Sequence, residues 1–377
     1  MTPVLSTVAA ASSRGFGMFG GVFGNLFAWG SNTDGSLGLG DTVTRSNLTS
    51  VGTLKTWVSC SVGEDSSYAI KSDGTLWSWG DNILGELGLN DRIDRSSPVQ
   101  IGIDTNWLSV VAGARHCVAL KNNNTLYSWG NNQNGELGIG VAGSFTGERS
   151  SPVQITGSWN KVAANTGIRA TFAINTSGQL FAWGLNTFGN LGTNDTIQYS
   201  SPIQIGSATN WTHVDTTNFH SIGLRGGSIF TWGWNAWGEL GINEQAGFDF
   251  GVYRSSPVQV GSATNWTHVS AGGANSFAIN SSGQLFAWGY NGGGELGLGD
   301  LSPRSSPVQI GSDTDWKLVF GFNSFTFGIK TNGDFYAWGS IGLGGVTTAT
   351  SPIQIGSFTK WKTAAATINA SYKLIIK

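Results

Sequence analysis

Charge is what this sequence has least of. Asp, Glu, Lys and Arg make up 11% of its 377 residues, against about 25% in an average soluble domain. The formal net charge is −2 and no Lys/Arg-rich run occurs. Phosphate recognition needs a basic footprint, so no nucleic-acid partner is expected. No run of about eighteen apolar residues occurs, so no membrane insertion is expected. Cysteine is nearly missing too. Cys60 and Cys117 read as buried thiols rather than as a disulfide or a metal site. The four histidines, His116, His213, His220 and His268, lack zinc spacing and read as hydrogen-bonded loop or strand-end residues. Nucleophile elbow, Walker loop and dinucleotide fingerprint are all missing. No catalytic residue, metal or cofactor is therefore assigned. The opening MTPVLSTVAAASSRG has no positive charge ahead of its short apolar stretch. It reads as part of the fold rather than as a secretory signal.

Glycine and tryptophan are abundant instead, at 57 and 17 residues. With 39% hydrophobic residues, the chain can bury a sizeable core. The tryptophans are periodic. A Trp-Gly pair recurs at Trp29, Trp79, Trp129, Trp183, Trp232, Trp288 and Trp338, at spacings of 50, 50, 54, 49, 56 and 50. A second tryptophan follows in each copy, at Trp57, Trp107, Trp159, Trp211, Trp266, Trp316 and Trp361. Proline holds one place in six copies (Pro98, Pro152, Pro202, Pro257, Pro307, Pro352), and Leu48 stands there in the first.

Each copy carries four short runs rich in β-formers, separated by Gly, Asn, Asp or Ser. In the second they are SPVQIG (97–102), WLSVV (107–111), CVAL (117–120) and TLYSWG (125–130). This is strand-and-turn punctuation, with no 3.6-residue period anywhere. Four strands in about fifty residues, seven times over, predict a seven-bladed β-propeller in one domain spanning 1–377. Two tryptophans per blade fill the wedge between neighbours. Glycine after each Trp permits close backbone approach or positive φ, and proline is expected to start the first strand.

The phrases LYSWGNNQNGELGIG, RSSPVQIG and AGARHCVAL together resemble the repeat of the RCC1 (regulator of chromosome condensation) family. The resemblance covers essentially the whole chain and implies a seven-bladed propeller of four-stranded blades. Two departures stand out. Only His116 and His220 answer to the family's third-strand histidine, and the last copy, SIGLGGVTTATSPIQ (340–354), lacks the GELG phrase. The chain ends in SYKLIIK without a following LFxWG strand. The LFAWG of 26–30 is expected to supply it, closing the ring with strands from both ends. Residues 1–25 then form irregular strands or an arm.

Recurrent Glu86, Glu136, Glu239 and Glu295 in GELG, and Arg45, Arg95, Arg149, Arg254 and Arg304 ahead of the proline, read as blade-holding groups. They pair with each other, or the glutamates accept backbone N–H groups. A catalytic site needs an asymmetric constellation, so function is sought where the copies differ. Copies three and five carry longer loops, with Phe145, Phe248, Phe250 and Tyr253. In the turn after Trp-Gly, copies four to six carry Phe188, Trp234, Trp237 and Tyr290. Aromatic residues in turns either mark a contact site or pack on one another and cover the long loop of copy five. They would lie on one sector of one face.

The expected function is a non-enzymatic, rigid binding or structural module with a protein partner. Sparse charge and Ser/Thr/Asn-rich strands resemble proteins exposed outside cells, bacteriophage virion proteins among them. This points to a virion-surface or extracellular protein, ahead of a cytosolic one, with capsid or tail subunits or a surface glycan as partner. A secreted bacterial protein-binding or inhibitor-type propeller is the alternative. A guanine-nucleotide exchange factor and a glycan-active enzyme using Glu239 and Asp249 rank below both.

Overall fold

The structure is a computed structural model. It describes residues 24–53, 56–143, 147–164, 169–217, 219–244, 253–341, 348–355, 363–366 and 372–376. Among them are twenty-eight strands and no helix. Six blades each take four consecutive strands. In blade I these are β3 (Trp57–Val62), β4 (Ser66–Lys71), β5 (Leu76–Gly80) and β6 (Arg95–Gln100), paired antiparallel in that order. Blades II to VI span 107–155, 159–204, 211–259, 266–309 and 316–354. First strands of successive blades touch one another, so they line the axis.

The seven expected repeats thus become six contiguous blades and one composite sheet. In that sheet β1 (Leu26–Gly30) pairs with β2 (Arg45–Ser50) on one side and with Tyr372–Ile376 on the other, and Thr363–Ala366 completes it. The register Leu26↔Ile376 through Gly30↔Tyr372 is unbroken. Closure by both chain ends is therefore as expected. Trp29 packs with Phe325 and Phe327 of blade VI. Leu26 and Ile376 pack with Trp57 and Trp79 of blade I. Residues 1–23 and Trp361 lie outside the described residues.

One expectation is corrected. The proline run is the fourth, outermost strand, and Pro98 stands inside β6 rather than at the start of a first strand. Val99 lies opposite Ser78, and Ile101 N donates to Leu76 O at 2.8 Å. The nitrogen of Pro98 therefore faces away from the sheet, where no ladder bond is lost.

The tryptophans hold blade to blade. Those of the third strands, Trp79 through Trp338, are fully buried, each contributing roughly 2–3 kcal/mol by burial. Each indole N–H also donates to a backbone carbonyl of the preceding blade. Trp79 reaches Ser36 O at 2.9 Å, Trp129 Glu86 O at 2.8 Å, Trp183 Glu136 O at 2.8 Å and Trp232 Asn190 O at 2.9 Å. Trp288 and Trp338 do the same to Glu239 O and Glu295 O, at 3.0 and 2.7 Å. Glycine fits the contact: a Cβ on Gly88 would come within 2.8 Å of the Trp129 indole nitrogen. Gly80, at φ 108°, would put a Cβ 2.2 Å from Asp65 O. First-strand tryptophans are held differently. The indole N–H groups of Trp107, Trp159 and Trp316 meet no conventional acceptor. These rings stand edge-on to the third-strand aromatics Tyr127, Phe181 and Tyr336, at 5.3–5.5 Å. Edge-to-face packing of this kind stabilises by about 0.5–1.5 kcal/mol beyond burial.

Candidate docking face

Two sets of loops share one face of the ring. The turn after each Trp-Gly is bonded to the loop between the first two strands of its blade. Asp81 N donates to Asp65 O at 3.0 Å, Trp234 N to Phe219 O at 2.8 Å and Tyr290 N to Ala274 O at 2.8 Å.

The repeated polar residues build these loops. Asn82 Oδ1 accepts Leu87 N at 3.0 Å, and its amide donates to Asp91 O and Ile93 O. Asn32, Asn132, Asn186, Asn235 and Asn291 act alike. Glu86, Glu136, Glu239 and Glu295 each accept the backbone N–H two residues before them, at 2.6–2.9 Å. Burial pushes all four carboxyls up, Glu86 to about 7 and Glu239 to about 8. The arginines serve other partners. Arg45, Arg95 and Arg304 bind Asp41, Asp91 and Asp300 at 2.6 Å, and Arg254 binds Glu244. Tyr199 stands in the arginine place of one copy and donates to Asp195 at 2.8 Å.

The histidines are internal. His116 Nε2 lies 3.0 Å from Thr171 Oγ1, and His220 Nε2 lies 2.8 Å from Ser276 Oγ. Each bond crosses to the next blade, and burial pushes both imidazoles down to about 3. Both cysteines are buried and free, their thiols pushed up by burial. Among the described residues no group of three or more His, Cys, Asp or Glu could hold a metal ion.

The copies diverge across blades III, IV and V. Phe188, Trp237 and Tyr290 are half-buried, and Trp234 is buried at 8% exposure. Phe219, which sequence reasoning missed, joins them: it lies 4.8 Å from Trp234 and 6.2 Å from Phe188. Trp237 and Tyr290 pair at 5.0 Å across the boundary between blades IV and V. Trp234 therefore lies beneath Phe188 and Phe219, while Trp237 and Tyr290 form a second aromatic pair beside them on the same turns. The signal for Phe219 was positional. It occupies the loop place held by Asp65, Arg115 and Arg169 in earlier blades. Tyr253 pairs opposite Trp234 in the outer strand of blade IV and is 37% exposed. Phe145, Phe248 and Phe250 lie outside the described residues.

The same face is acidic elsewhere. Blade I carries Asp65 and Asp81 at the places of Phe219 and Trp234. Their carboxyls are raised, by burial first and by neighbouring carboxylates second. Arg115 answers with a 3.2 Å pair to Glu64. Among the described residues no helix is long and apolar enough to cross a membrane.

Comparison with known proteins agrees with this geometry. The family model of the RCC1-like domain matches residues 22–322. Comparison with curated protein sequences gives no match. Among solved structures, Prp20p of Saccharomyces cerevisiae, described with its binding properties to Gsp1p and histones, is 18% identical with a TM-score of 0.82. That match covers 97% of this chain and 92% of Prp20p. Yeast RCC1 (Prp20) in a structure with Kap60 bound is 18% identical with a TM-score of 0.80, covering 100% and 94%. Human WBSCR16 is 17% identical with a TM-score of 0.80, covering 94% and 98%. At these identities the likeness is one of fold.

Proposed function

The chain belongs to the RCC1-like domain family, and from that premise we propose that it is a non-enzymatic, rigid module that binds a protein partner through one propeller face. The observation that carries this reading is the aromatic sector of blades III to V, in which Phe188 and Phe219 pack on the buried Trp234 and Trp237 pairs with Tyr290. Half-buried aromatic side chains on a rigid scaffold are the anchors that binding interfaces use. The strongly shifted carboxylates repeat around the ring and each holds its own turn, which favours a binding role over catalysis. Two of the similar structures name protein partners for their own chains, Gsp1p and histones for Prp20p and Kap60 for yeast RCC1. This supports a protein as the class of partner.

Placement on a virion surface or otherwise outside the cell is the finer part of the reading. It rests on composition: 11% charged residues in strands rich in Ser, Thr and Asn. Capsid or tail subunits, or a surface glycan, are the partners this placement implies. The experiment is co-purification from the native source, with wild type and a Trp237→Ala, Tyr290→Ala variant run side by side. A protein retained by wild type and lost by the folded variant supports the reading. A partner retained equally by both overturns the aromatic face, and a soluble cytosolic partner overturns the placement.

A further inference from the structure

Charge on the docking face is as uneven as its aromatics. The loop between the first two strands carries Asp65, Arg115, Arg169, Phe219, Ala274 and Ser324 in blades I to VI. Blade I is acidic, and Asp34 of the composite sheet stands close enough to act on both Asp65 and Asp81. The two arginines are not equivalent. Arg115 bonds Glu64 at 3.2 Å and feels Asp81 and Glu86 as well, so its charge is answered. Arg169 instead donates to the side-chain oxygen of Gln133, a neutral group. The carboxyl of Glu136 stands 3.9 Å from its Nε, beyond hydrogen-bond reach, and burial favours the neutral form of that carboxyl. A guanidinium has five N–H donors. Among the described residues, Gln133 is the hydrogen-bond acceptor that those of Arg169 meet, and the side chain is 36% exposed. Leu185 N donates to Arg169 O at 2.8 Å, which sets Arg169 beside the turn that carries Phe188. Phe188 in turn lies 6.2 Å from Phe219.

We propose that Arg169 and the Phe188–Phe219 pair form one anchor, which takes a segment of the protein partner carrying a carboxylate next to an apolar side chain. The proposal rests on the docking reading above and names the chemistry of its partner. A guanidinium with unmatched donors pairs with a carboxylate through two parallel hydrogen bonds. Half-buried aromatic rings beside it take up the apolar neighbour, and arginine with aromatics is the combination that interface centres favour. Charge complementarity also selects against a polyanion. A nucleic acid or a run of phosphates laid on this face would meet the carboxylates of blade I, whereas a single carboxylate at blade III is held two blades away from them.

The test pans a phage library of random peptides against the full chain, for wild type, Arg169→Gln and Phe219→Ala. Wild type should enrich peptides with Asp or Glu beside an aromatic or aliphatic residue. A synthetic peptide of the enriched sequence should bind Arg169→Gln roughly tenfold or more weakly than wild type, about 1.4 kcal/mol, and Phe219→Ala should lose as much. Should circular dichroism show Arg169→Gln misfolded, Arg169→Lys decides, because it keeps the charge without the fork and should bind between the two. Apolar peptides without an acidic residue, lost by Phe219→Ala but held equally by Arg169→Gln, overturn the carboxylate and leave the docking face standing. No peptide held by wild type, or peptides that every variant holds alike, overturns the docking face and the proposal with it. A wild type that sediments as a dimer which Arg169→Gln disperses would seat a second copy there instead, and also overturns the proposal.

Discussion

Replacing Glu239 by Gln should flatten the pH dependence of stability on the alkaline side. Glu239 is fully buried, its Oε2 accepts Trp237 N at 2.7 Å, and its Oε1 meets no partner. Burial raises its carboxyl from 4.5 to about 8, against the opposing pull of its backbone hydrogen bonds. The folded state therefore keeps a proton that the unfolded chain releases. With the folded value raised, the stabilising contribution is complete below pH 4.5 and is lost as pH rises through 8. The difference between 8 and 4.5 is 3.5 units, and at 1.36 kcal/mol per unit it amounts to roughly 5 kcal/mol. Glutamine keeps the acceptor for Trp237 N and carries no charge at any pH. Urea unfolding of wild type and variant, at one-unit steps from pH 5 to pH 9, reads the difference directly. The variant should gain on wild type steadily up to pH 8 and then hold its lead. The histidines at 116 and 220 and the carboxyl of Glu86 titrate in both proteins and cancel in the comparison. Parallel curves for the two proteins would refute the argument, because Glu239 would then be ionised within the fold without cost.

Other substitutions probe the ring and the face. Asn275 is fully buried with both amide atoms unpartnered, at the place where His116 and His220 reach the next blade. Asn275→His should reach Thr326 and raise stability by about 1–3 kcal/mol, read as a higher melting temperature. Trp234→Ala should lower stability by about 3–5 kcal/mol, as for a core aromatic. Trp237→Ala should cost less than half of that while abolishing partner capture, so the two residues separate support from contact. Gly80→Ala forces a Cβ against Asp65 O at φ 108° and should destabilise by more than about 1 kcal/mol, measured by urea unfolding.

The fold was legible because its reasons repeat. Trp-Gly followed by Asn, Gly, Leu and Gly is one loop and one inter-blade contact, written out copy after copy. Even the closure by LFAWG could be read, since the final copy lacks that strand. The phase of the blade could not. A circular repeat has no marked beginning, and only pairing shows that the Trp57 strand is first and the proline strand last. The glutamates offered two partners, and burial rather than charge chose between them: their oxygens face backbone N–H groups, and Arg45, Arg95, Arg304 and Arg254 pair instead with Asp41, Asp91, Asp300 and Glu244. For the candidate site, turn position identified Phe188, Trp237 and Tyr290. It missed Phe219 because that residue lies in a different loop, brought alongside only by the bond between Trp234 N and Phe219 O. It also placed Trp234 at the surface, where the packing of Phe188 and Phe219 buries it.

Identical positions in this ring are spoken for by packing, so its asymmetries carry the argument about function. Two of them meet on one face, the aromatic sector of blades III to V and Arg169 beside it. They differ in physical kind, apolar anchorage in one case and charge in the other. Salt screens exposed charges and does not weaken the burial of apolar surface, so a sodium chloride titration takes the contact apart. Wild type should bind its selected peptide progressively more weakly as salt rises. Phe219→Ala should bind more weakly at every salt, with the slope of wild type. Arg169→Gln should show a flatter slope, so that its gap from wild type narrows at high salt. If Arg169→Gln instead keeps the slope of wild type, the salt-sensitive contact lies elsewhere on the face. The carboxylates of blade I would then be the charges that the partner meets, and its complementary segment would be basic.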